Sequence, residues 1–279
     1  MENIKIKNPE LLKEKISKIK ADGKNKLHIV SDFDRTLTYC FVDGKKLGSA
    51  YALIRDGGYL SEEYCKKAFE LYDNYHEIEL DSNLDIKYKS KKMKEWWEKH
   101  KQLFIDYKMN TQVIQHIMKR YPKIFRDKSL EMFDILNENN IPLLIFSSGI
   151  GNFIKGYLEK ENKLTPNIYI ISNTFLFDEL GFVKDYENDI IHVFNKSEVS
   201  IKDKDYLNSI EKRHNVILLG DSIGDLGMTE GIAHETILRI GFLNENIEER
   251  LNEFLENFDV VLTNDQNMNY IVDLLKEII

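Results

Sequence analysis

The sequence predicts an α/β fold: an open three-layer sandwich on a mostly parallel sheet, with a helical cap inserted after the first core strand. Three observations predict it. Short continuous apolar runs recur along the chain, segments with helical spacing separate most of them, and one long stretch after the first run carries no comparable apolar strand.

The elements follow in chain order. "KISKIKADGKNK", residues 15 to 26, reads as the end of a charged helix stopped at Asp22-Gly23 and leading into a first strand, "LHIVSD", from Leu27. From about Lys45 to about Arg126 the chain is dense in Lys, Glu, Tyr and Trp, and this stretch reads as a helical insert lying over the strand ends. "SLEMFDILNENN" is helical, "IPLLIFSS" from Ile141 and "NIYIISN" from Asn167 are strands, and "FLFDELGFVKD" is a hairpin turning at Gly181. A polar, irregular region begins at "VFNKSEVS". Strand "NVILLGD" from Asn215, helix "IEERLNEFLENF" and strand "DVVLTN" from Asp259 complete the series. The expected division is a core of residues 1–44 and 127–279 with a cap of 45–126.

Composition narrows the function. With 42% hydrophobic and 31% charged residues the chain belongs among ordinary globular proteins. A net charge of −8 argues against a nucleic-acid polymer as partner, because neutralising phosphates takes clustered Lys and Arg. The run "KYKSKKMK" reads as a solvated helix face. No apolar stretch approaches the roughly 20 residues that span a bilayer, so a cytoplasmic setting without membrane contact is expected. The two cysteines, Cys40 and Cys65, lack metal-ligand spacing and are expected to be reduced.

In open α/β sheets the working groups sit beyond the strand C-termini. Asp32, Ser147, Ser148, Asn173, Asp221 and Asp225 all fall there and should converge in one crevice. Carboxylates gathered at the mouth of buried strands repel one another and lose hydration unless something offsets the charge, so a cation or a catalytic role is expected. Asp32, Asp34 and Asp221 offer oxygen donors that suit Mg²⁺, and softer metals find no Cys or His set. With that charge offset, Asp32 can act as a nucleophile toward phosphorus, forming a phosphoaspartate. Asp34 can protonate the leaving alkoxide and then deprotonate water. Ser147, Ser148 and Gly149 are expected to open the helix "SSGIGNFIKGYLEK" and donate to phosphoryl oxygens, with Lys196 adding a fixed positive charge.

"DFDRTLT", "IFSSGIG", "HVFNK" and "LLGDSIGD", in this order and with a helical insert after the first, resemble the four motifs of the haloacid dehalogenase-like phosphohydrolases. "ISNTFLFDELG", "LLGDSIGDLGMTEG" and "ILRIGFLNENIEE" resemble the cytosolic 5′-nucleotidase III group, the pyrimidine 5′-nucleotidases, from about residue 27 onward. The resemblance implies Mg²⁺-dependent removal of the 5′-phosphate from nucleoside monophosphates. It makes Asp32 the nucleophile, Asp34 the acid/base and a metal ligand through its backbone carbonyl, and Asp221 a further metal ligand. Ser147 and Ser148 become the phosphate-binding pair, Lys196 the lysine of the third motif, and Asp225 a support for metal-bound water or for Lys196.

In the cap the resemblance makes Glu79 of "EIELD" the residue that hydrogen-bonds the nucleobase. Trp97 of "EWWEKHKQLF" takes an aromatic position facing the base, and His100 stands where that group usually has serine. Trp in place of Tyr resembles the branch that uses 7-methylguanosine phosphate, whose cationic base gains from a stacked indole. Tyr51 of "GSAYALI" is placed to close the other side of a base sandwich. Trp96 and Trp97 are adjacent helical positions, so at most one is expected to line the pocket. The expected protein is a monomer acting on pyrimidine or 7-methylguanosine monophosphates. The rival readings are a phosphatase or phosphotransferase for another small phosphometabolite, or an inert nucleotide-binding protein.

Overall fold

The computed structural model describes residues 3–81, 83–197 and 201–279. A short edge strand, β1 (Ile4–Lys5), precedes helix α1 (Pro9–Asp22), whose N-terminus is capped by Asn8. Gly23, at φ 79°, ends α1 in a conformation that glycine adopts without strain. Strand β2 (Leu27–Ser31) is buried at every position. A small hairpin, β3 (Phe41–Val42) and β4 (Lys45–Lys46), leads into four helices: α2 (Ala50–Asp56), α3 (Glu62–Leu80), α4 (Ile86–Asp106) and α5 (Thr111–Arg120).

The chain then runs through α6 (Ser129–Glu138), β5 (Leu143–Ile150), α7 (Gly151–Lys160) and β6 (Ile168–Asn173). A second hairpin, β7 (Phe175–Phe177) and β8 (Val183–Tyr186), follows, with Gly181 at φ 83° in its turn. Next come α8 (Lys204–Ile210), β9 (Asn215–Gly220), β10 (Thr236–Leu243), α9 (Ile247–Asn257), β11 (Val260–Thr263) and α10 (Asn269–Ile278). The polar region after Phe194 is described except at residues 198–200.

The main sheet has the order β1-β11-β10-β9-β2-β5-β6, parallel throughout except for β1 against β11. Both faces are covered, and alternation decides which residue goes where. Ile29, Leu143, Ile145, Ile217 and Leu219 join the large core on one face, while Val30, Leu144, Phe146, Val216 and Leu218 meet Tyr206, Ile210 and Met228 on the other. Each such side chain, fully buried, contributes about 1.5–3 kcal/mol of transfer free energy.

Sheet order also positions the site. From β2 the chain steps to β5 and β6 on one side, then returns to β9, β10 and β11 on the other. The order therefore reverses at β2, and in such sheets ligands bind beyond the strand ends at that switch point.

Three expectations change. β10 was missing from the expected strands, and β4 gives the insert a strand residue pair at its start. Ser147, Ser148 and Gly149 do not open a helix: β5 stays extended through Ile150, with a register shift against β6 after Phe146, and α7 begins at Gly151. The "KYKSKKMK" face is only partly solvated, since Lys89 and Met93 are buried in α4.

Candidate active site

Asp32 follows the last residue of β2, and its N–H donates to the Leu219 carbonyl of β9 at 3.0 Å. That bond fixes the Asp32 backbone between two strand ends. The chain then reverses: Thr36, Leu37 and Thr38 all donate backbone N–H groups to Phe33 O, and Arg35 adopts φ 61°. β2 thus ends before Asp34, which lets two aspartates one residue apart serve the same crevice.

Asp221 and Asp225 arrive from β9. Ser222 donates its N–H and its hydroxyl to Asp225 Oδ2, at 3.0 and 2.8 Å, forming a capping box on the 3-10 turn Ile223–Thr229. Gly220 makes room for this turn, because a β-carbon there would lie 2.6 Å from Asp225 Cβ. Lys196, 5% exposed, bridges the two strand ends: its Nζ donates to Asp32 Oδ1 at 2.5 Å and to Asp225 Oδ1 at 3.1 Å. Gly227 allows the 3-10 turn to pass close to the Lys196 carbonyl.

Asn173, at the end of β6, ties the neighbouring segments together. Its amide donates to Ser148 O and Ile191 O, each at 2.8 Å, and its Oδ1 accepts from Ile191 N at 2.8 Å. The Ser147 hydroxyl accepts the Gly149 N–H at 3.0 Å and keeps its own proton to donate. A β-carbon on Gly149 would come within 3.1 Å of Ser147 Oγ and 3.2 Å of Asp34 Oδ2, so these two groups flank one glycine. The start of the insert reaches the same place: Leu47, Gly48 and Ala50 line a small cleft with Phe33, Asp34 and Gly149.

Carboxylate oxygens of Asp32, Asp221 and Asp225 all lie within 4.8 Å of one another. The Asp34 carboxylate, expected beside Asp32 and Asp221, is not part of this cluster; Asp225 completes it instead. Burial pushes Asp32 up to about 7 against the pull of the Lys196 ammonium, and Asp225 adds to the rise. Burial also raises Asp34 to about 6 and, with repulsion from Asp225 and Asp32, lifts Asp221 well above the usual carboxylate range. Burial would depress Lys196, but Asp225 and Asp32 keep its ammonium charged. A larger cavity of about 560 Å³, lined by Tyr39, Phe41, Phe125 and Lys128, includes none of these carboxylates.

The insert meets this site along the Lys196 segment. Val193 and Phe194 pack with Tyr75, Met93 and Trp96, Lys89 Nζ lies 4.8 Å from the Phe194 ring centroid, and Ser90 Oγ is 3.4 Å from His192 Nε2. Glu79, on α3, is half-buried, with Oε2 3.1 Å from His76 Nδ1. Trp97 stacks on Tyr51, centroids 4.5 Å apart, and on Trp96 at 4.8 Å. Adjacent helix positions therefore share one stack rather than facing different ways. A base between Tyr51 and Trp97 would need about 7 Å, two carbon–carbon contacts, so the expected sandwich is closed by its own rings. Tyr51 is buried, its hydroxyl 3.0 Å from that of Tyr186. His100 is 4% exposed, wedged against Phe104 with Nε2 3.1 Å from the Tyr64 hydroxyl, which makes it part of the aromatic packing. Burial, aided by Arg55, depresses His100 to about 3 and keeps it neutral.

Sequence reasoning passed over Arg126 and Asp265. Arg126 closes the insert and is fully buried against Asp265, and a buried arginine is conspicuous only once its surroundings are known.

The sequence and the fold have known counterparts. The chain is 34% identical over 276 residues to the 7-methylguanosine phosphate-specific 5′-nucleotidase A of Xenopus laevis, covering 99% of this chain and 95% of that protein. It is 34% identical to the human 7-methylguanosine phosphate-specific 5′-nucleotidase, covering 98% and 92%. The crystal structure of cytosolic 5′-nucleotidase IIIB bound to cytidine superposes with a TM-score of 0.91 at 32% identity, over 100% of this chain and 94% of that one. A HAD family hydrolase from Salmonella enterica, 14% identical with a TM-score of 0.60 over 96% of this chain and 81% of that one, shares the fold. A sequence profile described as pyrimidine 5′-nucleotidase (UMPH-1) matches residues 35–279. With its haloacid dehalogenase-like sheet and its match to that profile, the chain belongs to the pyrimidine 5′-nucleotidase (UMPH-1) family.

Proposed function

We propose that this 5′-nucleotidase, a phosphoric monoester hydrolase, acts as a cytoplasmic monomer on nucleoside 5′-monophosphates through an aspartyl phosphate on Asp32. The observation that carries the reading is Lys196, buried and bonded at once to Asp32 and Asp225 beside Asp221. With all three carboxyls ionised, one ammonium leaves the crevice negative, and hard oxygen donors without Cys or His suit Mg²⁺. Asp32, Asp221 and the Asp34 carbonyl would hold that ion, with Asp225 at its edge. When bound, Mg²⁺ neutralises charge that would otherwise repel the phosphate.

The chain's own groups then divide the work. An Asp32 carboxylate oxygen bonds to phosphorus as the bond from phosphorus to the nucleoside 5′-oxygen breaks. Asp34, raised to about 6 by burial, gives its proton to that departing oxygen. In the second half it takes a proton from water as the water oxygen bonds to phosphorus and Asp32 is released. The hydroxyls of Ser147 and Ser148 donate to the phosphoryl oxygens, and Lys196 holds positive charge where negative charge spreads.

Substrate choice would belong to a cap of residues 45–126, through Glu79, Trp97, Tyr51 and His100. A 7-methylguanine, being cationic, would favour the carboxylate of Glu79 and the indole of Trp97, a contact worth about 0.5–2 kcal/mol. The stack of Tyr51, Trp97 and Trp96 means that such a base lies at the edge of the stack or opens it.

The test is phosphate release from 7-methyl-GMP, CMP, UMP, GMP and AMP, with and without added nucleoside acceptor, by the wild type and Asp32→Asn. The wild type should favour 7-methyl-GMP and CMP, and Asp32→Asn should release nothing while keeping its circular dichroism. Undiminished turnover by Asp32→Asn rejects the mechanism; no use of 7-methyl-GMP rejects the role given to Trp97.

A further inference from the structure

Arg126 stands between the insert and α6, with its side chain fully buried. A guanidinium has five N–H donors, and a buried one is costly unless each finds an acceptor. Here all five do. Nε donates to Thr36 O at 2.7 Å; Nη1 donates to Asp265 Oδ1 at 2.8 Å and Gln266 O at 2.5 Å; Nη2 donates to Arg35 O at 2.6 Å and Asn244 Oδ1 at 2.8 Å. The guanidinium also lies 4.6 Å from the Phe242 ring centroid. One side chain thus gathers the turn after β2, the residue after β10 and the segment after β11.

Its target in the first of these is the turn that carries Asp34. Arg35 holds φ 61°, a left-handed conformation that costs a non-glycine residue about 1 kcal/mol or more. Three bonds hold it there: Arg126 and Asn244 both donate to its carbonyl, the latter at 3.0 Å, and its own N–H donates to Thr38 Oγ1 at 2.9 Å. Asp34 is the residue before it. Asp265 extends the brace outward, accepting the N–H groups of Cys40 and Phe41 at 2.9 Å each, at the start of the β3–β4 hairpin.

We propose that Arg126, with Asn244, is a positioning residue for the acid–base step: it locks the Asp34–Arg35 turn so that the Asp34 carboxyl meets the departing oxygen. This rests on the reading of Asp34 as the general acid. Lysine cannot substitute, because its three rotatable donors cannot serve five acceptors in a plane. The proton given by Asp34 goes to the nucleoside 5′-oxygen as its bond to phosphorus breaks. An aryl phosphate such as p-nitrophenyl phosphate expels a stabilised phenolate and needs that proton far less. Misplacing Asp34 should therefore slow the two substrates unequally.

A second arginine supplies the control. Arg213 donates to Ser209 O, Lys24 O, Leu27 O and Asn140 O, at the N-terminal ends of the strands and far along the sheet from the site. Arg213→Lys removes a comparable fork without touching the Asp34 turn.

The experiment measures kcat and KM for CMP or 7-methyl-GMP and for p-nitrophenyl phosphate, with melting curves, in Arg126→Lys, Asn244→Ala, Arg213→Lys and Asp34→Asn. Arg126→Lys and Asn244→Ala should lose kcat/KM, which reports the step that expels the alcohol and not the water step shared by both substrates, at least about 10-fold more on the nucleotide than on the aryl phosphate, a share of the 10²–10⁴ that acid catalysis supplies. Nucleotide KM should stay near the wild-type value, and Arg213→Lys should show no skew. Should Arg126→Lys fail to fold, Asn244→Ala carries the comparison, since it removes one of the two donors on Arg35 O and only one of the five acceptors of the guanidinium. An even loss on both substrates in the brace variants, with a skewed loss in Asp34→Asn, overturns the proposal alone. An even loss in Asp34→Asn overturns the acid assignment and the proposal with it.

Discussion

Lys196 faces more negative charge than one ammonium can balance. Asp32 and Asp225 both bond to it, Asp221 lies within 4.8 Å of their oxygens, and burial strengthens the repulsion among them. A divalent cation at saturating concentration, about 100 times its dissociation constant, should then add about 2.7 kcal/mol of stability by mass action. We expect the melting temperature to rise on adding Mg²⁺ and to fall again with EDTA. Asp221→Asn should melt higher than the wild type in metal-free buffer, lose the Mg²⁺ increment and lose phosphatase activity. A wild-type Mg²⁺ increment in Asp221→Asn would mean that the cation sits elsewhere. At this scale the strand-end carboxylates and Lys196 were legible, because polar residues ending apolar runs stand out. The link of Asp225 to Lys196 was implied by the resemblance; that its carboxylate also stands beside Asp32 and Asp221 was not legible, since a capping box formed with Ser222 decides where that side chain points.

At the scale of elements, β9 and the turn that follows act as one unit. The missing β-carbon of Gly220 is what lets Asp225 fold back over the strand end. Gly220→Ala should force the turn outward, costing about 1–3 kcal/mol by overpacking and lowering kcat by separating Asp225 from Lys196. Equal activity and stability in that variant would show that the turn has slack. The β5 terminus shows where sequence reading fails. "SSGIG" looks like the start of a helix because serine and glycine favour caps, yet pairing with β6 keeps it extended to Ile150. β10 carries the opposite lesson: Thr236, Leu238, Ile240 and Phe242 alternate as a strand should, but Arg239 interrupts the apolar run.

Across the whole molecule, the sequence displayed parallel strands but not their order, which depends on pairings remote in the chain. The insert shares the main hydrophobic core with the sheet and adds aromatic and polar contacts, while Cys40 and Cys65 are both free. His100 lies inside that aromatic packing and is held neutral, depressed to about 3 from an ordinary 6.5. The unfolded chain therefore binds a proton below pH 6.5 that the folded one refuses. His100 contributes its full stability above that pH and loses it as pH falls toward 3, by about 2 kcal/mol at pH 5. Melting curves at pH 7 and pH 5 should show a smaller acid loss in His100→Gln than in the wild type; identical losses would mean that another group sets the acid sensitivity.

The stack of Tyr51, Trp97, Trp96 and Tyr75 has an optical consequence. The chain contains two tryptophans, and both belong to this stack. Intrinsic emission excited at the red edge therefore comes from the insert alone and leaves the sheet dark. A nucleoside that slides against Trp97 would announce its arrival as quenching or a spectral shift, with no label attached.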